Sequence, residues 1–271
     1  MVPKTYTLTN GCLMPSLGLG CYSIPKNTTA QVVHQALKCG YRHFDTAVFY
    51  GNETEVGEGI AAWLAEDPSS NRRQDVFYVT KLWNSQNGYT EAKTAIQQCL
   101  QKVAPLGYID LLLIHSPACG SAKRLATYEA MQESVDAGIV KSIGVSNYER
   151  HHLQELYAMP NLKHNPVVNQ IEVTPWLPRN DLVDYCKSIG LAIQAYSPLG
   201  CGDRVNDPYI ASLATQKNCT PAQILIAWSL AKGYAPLPKT QNIQRLQSNL
   251  DSYNVSLTAE ELTNIEKAYA P

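Results

Sequence analysis

The chain has 271 residues, 45% hydrophobic and 17% charged, with a net charge of −1. A domain of this size buries roughly three quarters of its unfolded surface, so its core needs no covalent staples. Near-neutral charge without a dense Lys/Arg run excludes a general attraction for nucleic acid or acidic membranes. The eight cysteines are scattered without a C-x-x-C pair, which argues against zinc knuckles and a compact disulfide framework and predicts buried free thiols. The N-terminal stretch lacks an apolar leader core, and no apolar run is long enough to span a bilayer. The expectation is a cytoplasmic protein with reduced thiols.

Residues 5–8 and 12–14 flank Asn10-Gly11, the preferred two-residue hairpin turn, and predict an N-terminal β-hairpin. A short apolar strand follows at 17–20, then a helix over 28–39 with Ala30, Val33, Ala36 and Leu37 on one face and Gly40 as its stop. The alternation then repeats. Strands are expected at 41–45, 76–81, 109–115, 139–145, 167–172, 191–196 and 235–238. Helices are expected between them, at 53–65, 90–103, 122–136, 149–157, 180–188 and 208–231, the last broken near Pro221. A final helix near 257–269 carries Thr258 and Glu261 as a capping box.

The strands read as continuous apolar runs, the pattern of a parallel sheet buried on both faces. Eight strands each followed by helix predict an α/β chain folded as a (β/α)8 TIM barrel with an N-terminal hairpin, one domain over residues 1–271. The rival, an open doubly wound sheet, usually carries G-x-G-x-x-G after its first strand. Gly18-Leu-Gly20 continues instead as Cys-Tyr-Ser, and Gly57-Glu-Gly59 falls inside a helical pattern.

Active sites of such barrels form at the C-terminal ends of the strands. The second strand ends at Asp45, with Tyr50 five residues on; the third ends at Lys81 and the fourth at His115. A free phenol titrates near 10, too high for easy proton donation at neutral pH, and a neighbouring ammonium favours the phenolate. Lys81 can therefore tune Tyr50, Asp45 can hold Lys81 charged, and His115 can hydrogen-bond a substrate oxygen. Singly, a buried Asp–Lys pair or a strand-end His is more often structural; three successive strand ends carrying an acid, a base and an imidazole point to chemistry. A proton donor alone reduces nothing, so a cofactor must supply hydride.

Asp45-x-x-x-x-Tyr50-Gly-Asn-Glu53, Lys81-Leu-Trp83 and Ile114-His-Ser-Pro117 resemble the catalytic signatures of the aldo-keto reductase family, and the likeness spans the chain. It is nearest to the short-tailed members of the 2,5-diketo-gluconate reductase and prostaglandin F synthase type. The resemblance implies a monomeric NADPH-dependent reductase of aldehydes and ketones. It makes Tyr50 the general acid, tuned by Lys81 and Asp45, with His115 orienting the carbonyl. It places Ser146, Asn147 and Gln170 on the nicotinamide carboxamide, stacks Tyr196 on the ring, and sets Ser197, Leu199 and Asp203 near the pyrophosphate. Lys239, Thr240, Arg245 and Asn249 fall at the adenosine end, where a helix start with two cations suits a 2′-phosphate. Ser248-Asn249 stands where the family often has Glu-Asn. Tyr22, Phe49, Trp83, Ser116 and Trp176 correspond to pocket positions. Ser116 replaces a tryptophan of some relatives and Pro271 closely follows the last helix, so an open, roomy pocket is expected. Two other classes compete with this reading: a non-catalytic, redox-sensing nucleotide-binding module on the same barrel, and a metallohydrolase using His43, Asp45 and His115. The intact four-residue set opposes the first, and the missing H-x-H partner opposes the second, so no metal is expected.

Overall fold

The computed structural model describes residues 2–202 and 204–269. The chain opens with an antiparallel hairpin, β1 (Thr5–Thr7) and β2 (Leu13–Pro15), in which Thr7 faces Leu13. Its loop differs from the expected two-residue turn. Leu8 donates its N–H to the Cys12 carbonyl, and Gly11 N–H closes back on Leu8 O, so Thr9, Asn10 and Gly11 form the connection. Only Gly11 has positive φ, at 85°, whereas the primed two-residue turn needs both central residues there. Asn10 instead turns its side-chain amide outward to Ser142 Oγ and the Lys141 carbonyl, pinning the hairpin beneath the barrel.

Eight parallel strands follow in sequential order: β3 (Leu19–Gly20), β4 (His43–Asp45), β5 (Phe77–Leu82), β6 (Ile109–Ile114), β7 (Val140–Ser146), β8 (Val168–Glu172), β9 (Ala192–Tyr196) and β10 (Ala235–Leu237). The sheet closes on itself between β3 and β10. Gly18 and Gly20 donate to the carbonyls of Pro236 and Pro238, each at 3.1 Å, and Gly20 bridges Lys239. The glycine pair allows that approach: a Cβ on Gly20 would lie 2.8 Å from the Leu237 carbonyl oxygen. The pair that resembled half a dinucleotide fingerprint is thus the closing seam of the barrel.

The helices between strands are α1 (Lys26–Cys39), α2 (Glu53–Glu66), α3 (Tyr89–Lys102), α4 (Ser121–Asp136), α5 (Arg150–Tyr157), α6 (Asn180–Ser188), α7 (Pro208–Gln216) and α8 (Pro221–Ala231), and α9 (Ile243–Leu250) and α10 (Ala259–Ala268) follow the last strand. The break between α7 and α8 falls where Thr220 caps α8 through Gln223 ahead of Pro221, as expected. Thr258 and Glu261 form the expected capping box on α10. The strand expected from residue 41 starts later, at His43. Tyr41 returns its N–H to the Ala36 carbonyl behind the left-handed Gly40, and its phenol donates to Leu246 O at 3.1 Å. All eight cysteines are free, but only Cys21, Cys99 and Cys186 are buried; Cys201, on a loop after β9, is exposed.

Two apolar layers result. The larger packs helices on the outside of the sheet; the smaller, with Met14, Phe77, Val79, Leu111, Leu113 and Val168, fills the barrel's lower interior above the hairpin. The period-two alternation of strands sets polar residues on the same inward face above that layer. His43 precedes Asp45, Val79 precedes Lys81, Val168 precedes Gln170, and Gln194 precedes Tyr196. The site is built on this upper layer.

Candidate active site

Lys81 is wholly buried and donates three hydrogen bonds: to Asp45 Oδ2 at 2.8 Å, to the Thr46 carbonyl at 2.9 Å and to Tyr50 Oη at 3.2 Å. Burial alone would push the ammonium towards neutrality, but the Asp45 carboxylate and the Tyr50 hydroxyl outweigh it and raise the Lys81 pKa. Tyr50 reaches this cation because the chain after β4 makes a 3-10 turn over Val48–Tyr50, held by Tyr50 N–H to Ala47 O. Thr46 and Asn52 brace that turn: the Thr46 hydroxyl donates to Asn52 Oδ1 at 2.7 Å, and Asn52 Nδ2 donates to Cys21 O. The Thr46 carbonyl was not among the expected groups; backbone acceptors leave no mark in residue type.

The sequence leads one to expect Lys81 to lower the Tyr50 pKa. Its pull has that sign, but burial of the phenol is the larger effect, and Tyr50 stands above the ordinary phenol value. Tyr50 therefore holds its proton firmly. His115 lies beside it, ring centroids 5.7 Å apart and nearly perpendicular. Burial first, and the Lys81 charge second, lower the His115 pKa to about 3, so the imidazole is neutral. Its Nδ1 is buried without a partner. An unpaired buried acceptor costs less than an unpaired donor, which puts the proton on Nε2 and makes that nitrogen the donor.

Tyr50, His115 and Asp45 line a cleft of about 930 Å³ across the C-terminal rim. Tyr22, Phe49, Trp83 and Ser116 line it near Tyr50 and His115. Phe49 and Trp83 stack at 4.1 Å and 20°, Trp83 stands edge-on to His115 at 4.9 Å, and Tyr22 tilts over Tyr50 at 5.0 Å. Phe49 and Tyr22 remain about half exposed, at 52% and 55%. Trp176 is not brought to this wall. A tight turn, in which Leu177 and Thr174 exchange backbone hydrogen bonds, directs its ring against Tyr269, centroids 5.0 Å apart, and beneath Arg204.

The rest of the cleft carries the other expected residues. Ser146, Asn147, Gln170, Tyr196, Ser197, Leu199, Lys239, Thr240, Arg245 and Asn249 all line it, while Asp203 lies outside the described residues. Ser146 Oγ donates to Gln170 O at 2.8 Å; Asn147 donates to the His115 carbonyl and accepts from Tyr196 Oη at 3.0 Å. Asn147 and Ser197 hold positive φ, 61° and 47°, conformations that cost non-glycine residues energy and cluster at functional sites. At the far end, the start of α9 is less open than expected, because Asn242 Oδ1 already accepts from the amides of Gln244 and Arg245. The exposed side chains of Lys239 and Arg245 are what this end offers an anion. Cys201, Val205, Asn206 and the start of α8 also border the cleft. Cys201, Val205 and Asn206 sit on the connection after β9, which has no strand or helix periodicity to mark it, and the start of α8 carries no residue type that points to a ligand.

His43 is drawn away from the metal reading. Its Nδ1 is bonded to Pro15 O at 2.9 Å and its Nε2 meets Gln194 at 3.0 Å, while Asp45 is bound by Lys81 and Gln170.

A family model described as the aldo/keto reductase family matches residues 14–270. An uncharacterized oxidoreductase of Saccharomyces cerevisiae is 55% identical over all of this chain and 97% of its own. A 9,11-endoperoxide prostaglandin H2 reductase of Trypanosoma cruzi is 38% identical over 96% of this chain and 90% of its own. The crystal structure of an aldo/keto reductase from Brucella melitensis superposes with a TM-score of 0.91 at 35% identity, covering 98% of each chain. The chain belongs to the aldo/keto reductase family and is an oxidoreductase of the TIM-barrel type. Among the described residues, no helix is long and apolar enough to cross a membrane.

Proposed function

We propose that the protein reduces small aldehydes and ketones to alcohols with NADPH, and that Tyr50 is the proton donor. The observation that carries this reading is the buried ammonium of Lys81, bonded at once to Asp45, the Thr46 carbonyl and Tyr50 Oη, beneath a cleft that Tyr50 and His115 both line. The donor set suits the cofactor. Gln170 presents an unpaired amide oxygen, Tyr196 a flat ring, and Lys239 with Arg245 two cations at the opposite end. Ser146, Asn147 and Gln170 would hold the carboxamide, Tyr196 would back the ring, Ser197 and Leu199 would border the pyrophosphate, and Thr240, Asn249 and the two cations would hold the adenosine end. Bound there, reduced nicotinamide supplies hydride to the carbonyl carbon.

This chain's own residues manage the oxygen. His115 Nε2–H donates to it and orients it, and the Tyr50 hydroxyl donates the second hydrogen bond. As negative charge develops on the oxygen, the Tyr50 proton transfers to it. Lys81, fixed by Asp45 and Thr46, stabilises the phenolate left behind. The aromatic walls of Tyr22, Phe49 and Trp83 favour apolar carbonyl compounds and exclude water from the transfer. Among the described residues, the charged side chains lining the cleft are Asp45, Lys239 and Arg245, and the two cations are the groups that would meet the adenosine phosphate.

The test is NADPH oxidation against aromatic aldehydes, aldoses, ketoesters and diketones, with wild type and Tyr50→Phe. The variant is expected to lose at least about a hundredfold in kcat, the scale of a positioned general acid, with NADPH affinity retained. Near-normal turnover by Tyr50→Phe would remove Tyr50 from the role.

A further inference from the structure

A buried hydrogen-bonded chain runs under the cleft from the hairpin to Tyr50, and each link has a direction that can be worked out. The Pro15 carbonyl can only accept, so His43 Nδ1, 2.9 Å away, carries a proton. His43 is fully buried, and burial holds its pKa down to about 4, so near neutral pH the ring has a single proton and Nε2 is a bare acceptor. The Gln194 atom 3.0 Å from that Nε2 must then be the amide nitrogen. Met14 Sδ, a weak acceptor 3.4 Å from the same nitrogen, agrees. Gln194 Oε1 is thereby turned towards Gln170.

Gln170 meets that oxygen at 2.8 Å and Asp45 Oδ1 at 2.7 Å through one nitrogen, Nε2. Both partners are acceptors, since Asp45 is the carboxylate paired with Lys81. The reversed amide would set an oxygen against two oxygens in a buried site, a cost far above a single lost hydrogen bond. The amide direction of Gln170 is therefore set from both ends. Its Oε1 receives no hydrogen bond among the described residues, and Gln170 lines the cleft.

We infer that His43 and Gln194 are positioning residues: through this relay they lock the Gln170 amide, so that a bare acceptor oxygen is left for the cleft and selects an N–H donor on the bound molecule. On the NADPH reading of the cleft, which this inference rests on, that donor is the carboxamide NH2 of nicotinamide. The same Gln170 nitrogen also holds Asp45, whose other oxygen holds Lys81. One amide thus joins the cofactor side of the site to the proton-donor side. Neither His43 nor Gln194 borders the cleft. Both act only through Gln170.

The test measures binding, by calorimetry, of NADPH and of adenosine 2′,5′-bisphosphate, which carries the adenosine and its 2′-phosphate but no nicotinamide. Gln194→Met keeps the volume and removes the relay; Gln194→Glu, as the neutral acid with its O–H facing the His43 Nε2 acceptor, keeps an oxygen facing Gln170. The expected result is NADPH affinity lowered about tenfold in Gln194→Met, the scale of one hydrogen bond to a buried group, and largely restored in Gln194→Glu, with bisphosphate affinity unchanged in both. If Gln194→Met does not fold, His43→Leu removes the acceptor that directs Gln194 and is expected to show the same selective loss. Unchanged NADPH affinity, or parallel weakening of both ligands, overturns the relay and leaves these residues with a structural role only. Failure of the wild type to bind either ligand overturns the cofactor reading itself, and the relay with it.

Discussion

Tyr50 and His115 owe their protonation states to opposite consequences of the same burial. Removing water disfavours the charged form of each, which raises the phenol and lowers the imidazole. Lys81 then works against burial at Tyr50 and with it at His115, because its charge favours phenolate and repels imidazolium. On the proposed function, the active form for reduction has Tyr50 protonated and His115 neutral. Reduction is therefore expected to hold level through neutral pH and to fall only as pH passes above about 10, where a phenol ordinarily loses its proton. Alcohol oxidation, which needs the phenolate, should rise over the same alkaline limb. The pH profile of kcat/KM in both directions checks this. A limb near the ordinary histidine value, about 6.5, in the reduction profile would contradict a neutral His115.

Among the elements, α1 and α2 show how closely small residues let helices approach. Gly59 faces α1, and a Cβ placed there would sit 2.5 Å from the Ala30 carbonyl oxygen and 2.9 Å from Val33 Cβ. The backbone carbonyl cannot rotate away, so α1 would have to shift. Alanine is worth about 1 kcal/mol over glycine inside an exposed helix, but overpacking of this kind costs about 1–3 kcal/mol. The clash wins, and Gly59→Ala is expected to destabilise the fold. Gly57→Ala instead meets Val103 Cγ1 at 2.9 Å, a side-chain atom rather than a backbone carbonyl, and should cost less. Urea midpoints of the two variants decide it: a Gly59→Ala midpoint at or above wild type would mean that α1 yields without cost. The glycines that looked like nucleotide-binding spacing are packing residues in this helix and at the β3–β10 seam, because what a glycine does depends on what the fold brings against it.

For the molecule as a whole, the proposed function gives one cleft two tasks: proton donation at Tyr50, and anion binding by Lys239 and Arg245, which line the same cleft. Among the described residues, Lys239 and Arg245 make no hydrogen bond or ion pair with Tyr50, Lys81 or His115, so in the proposed role they contribute binding that is equal in ground and transition states. Lys239→Ala with Arg245→Ala should raise KM for NADPH by more than tenfold, the scale of two charge-assisted contacts, while kcat and KM for NADH stay near wild type. Steady-state kinetics with both cofactors measures this; an unchanged NADPH-to-NADH preference would show that the 2′-phosphate is held elsewhere. The amides at the start of α9 add little to that site, because Asn242 has already capped two of them.

The sequence by itself determined the repeat of strand and helix and the identity of the residues at each strand's end. Both follow from local periodicity: an apolar run with a polar terminus in a parallel barrel delivers that terminus to one rim, so Asp45, Lys81 and His115 were legible as a group. Three things were decided only by tertiary structure. Barrel closure set Gly18 and Gly20 against β10, more than two hundred residues along the chain. The turn after β8 carried Trp176 towards Tyr269 and away from the cleft wall. Stacking of inward faces from β4, β8 and β9 joined His43, Gln194, Gln170 and Asp45 into one relay. Nothing local marks His43 or Gln194, since a buried polar side chain takes its meaning from a partner, and these two partners lie 151 residues apart in the chain.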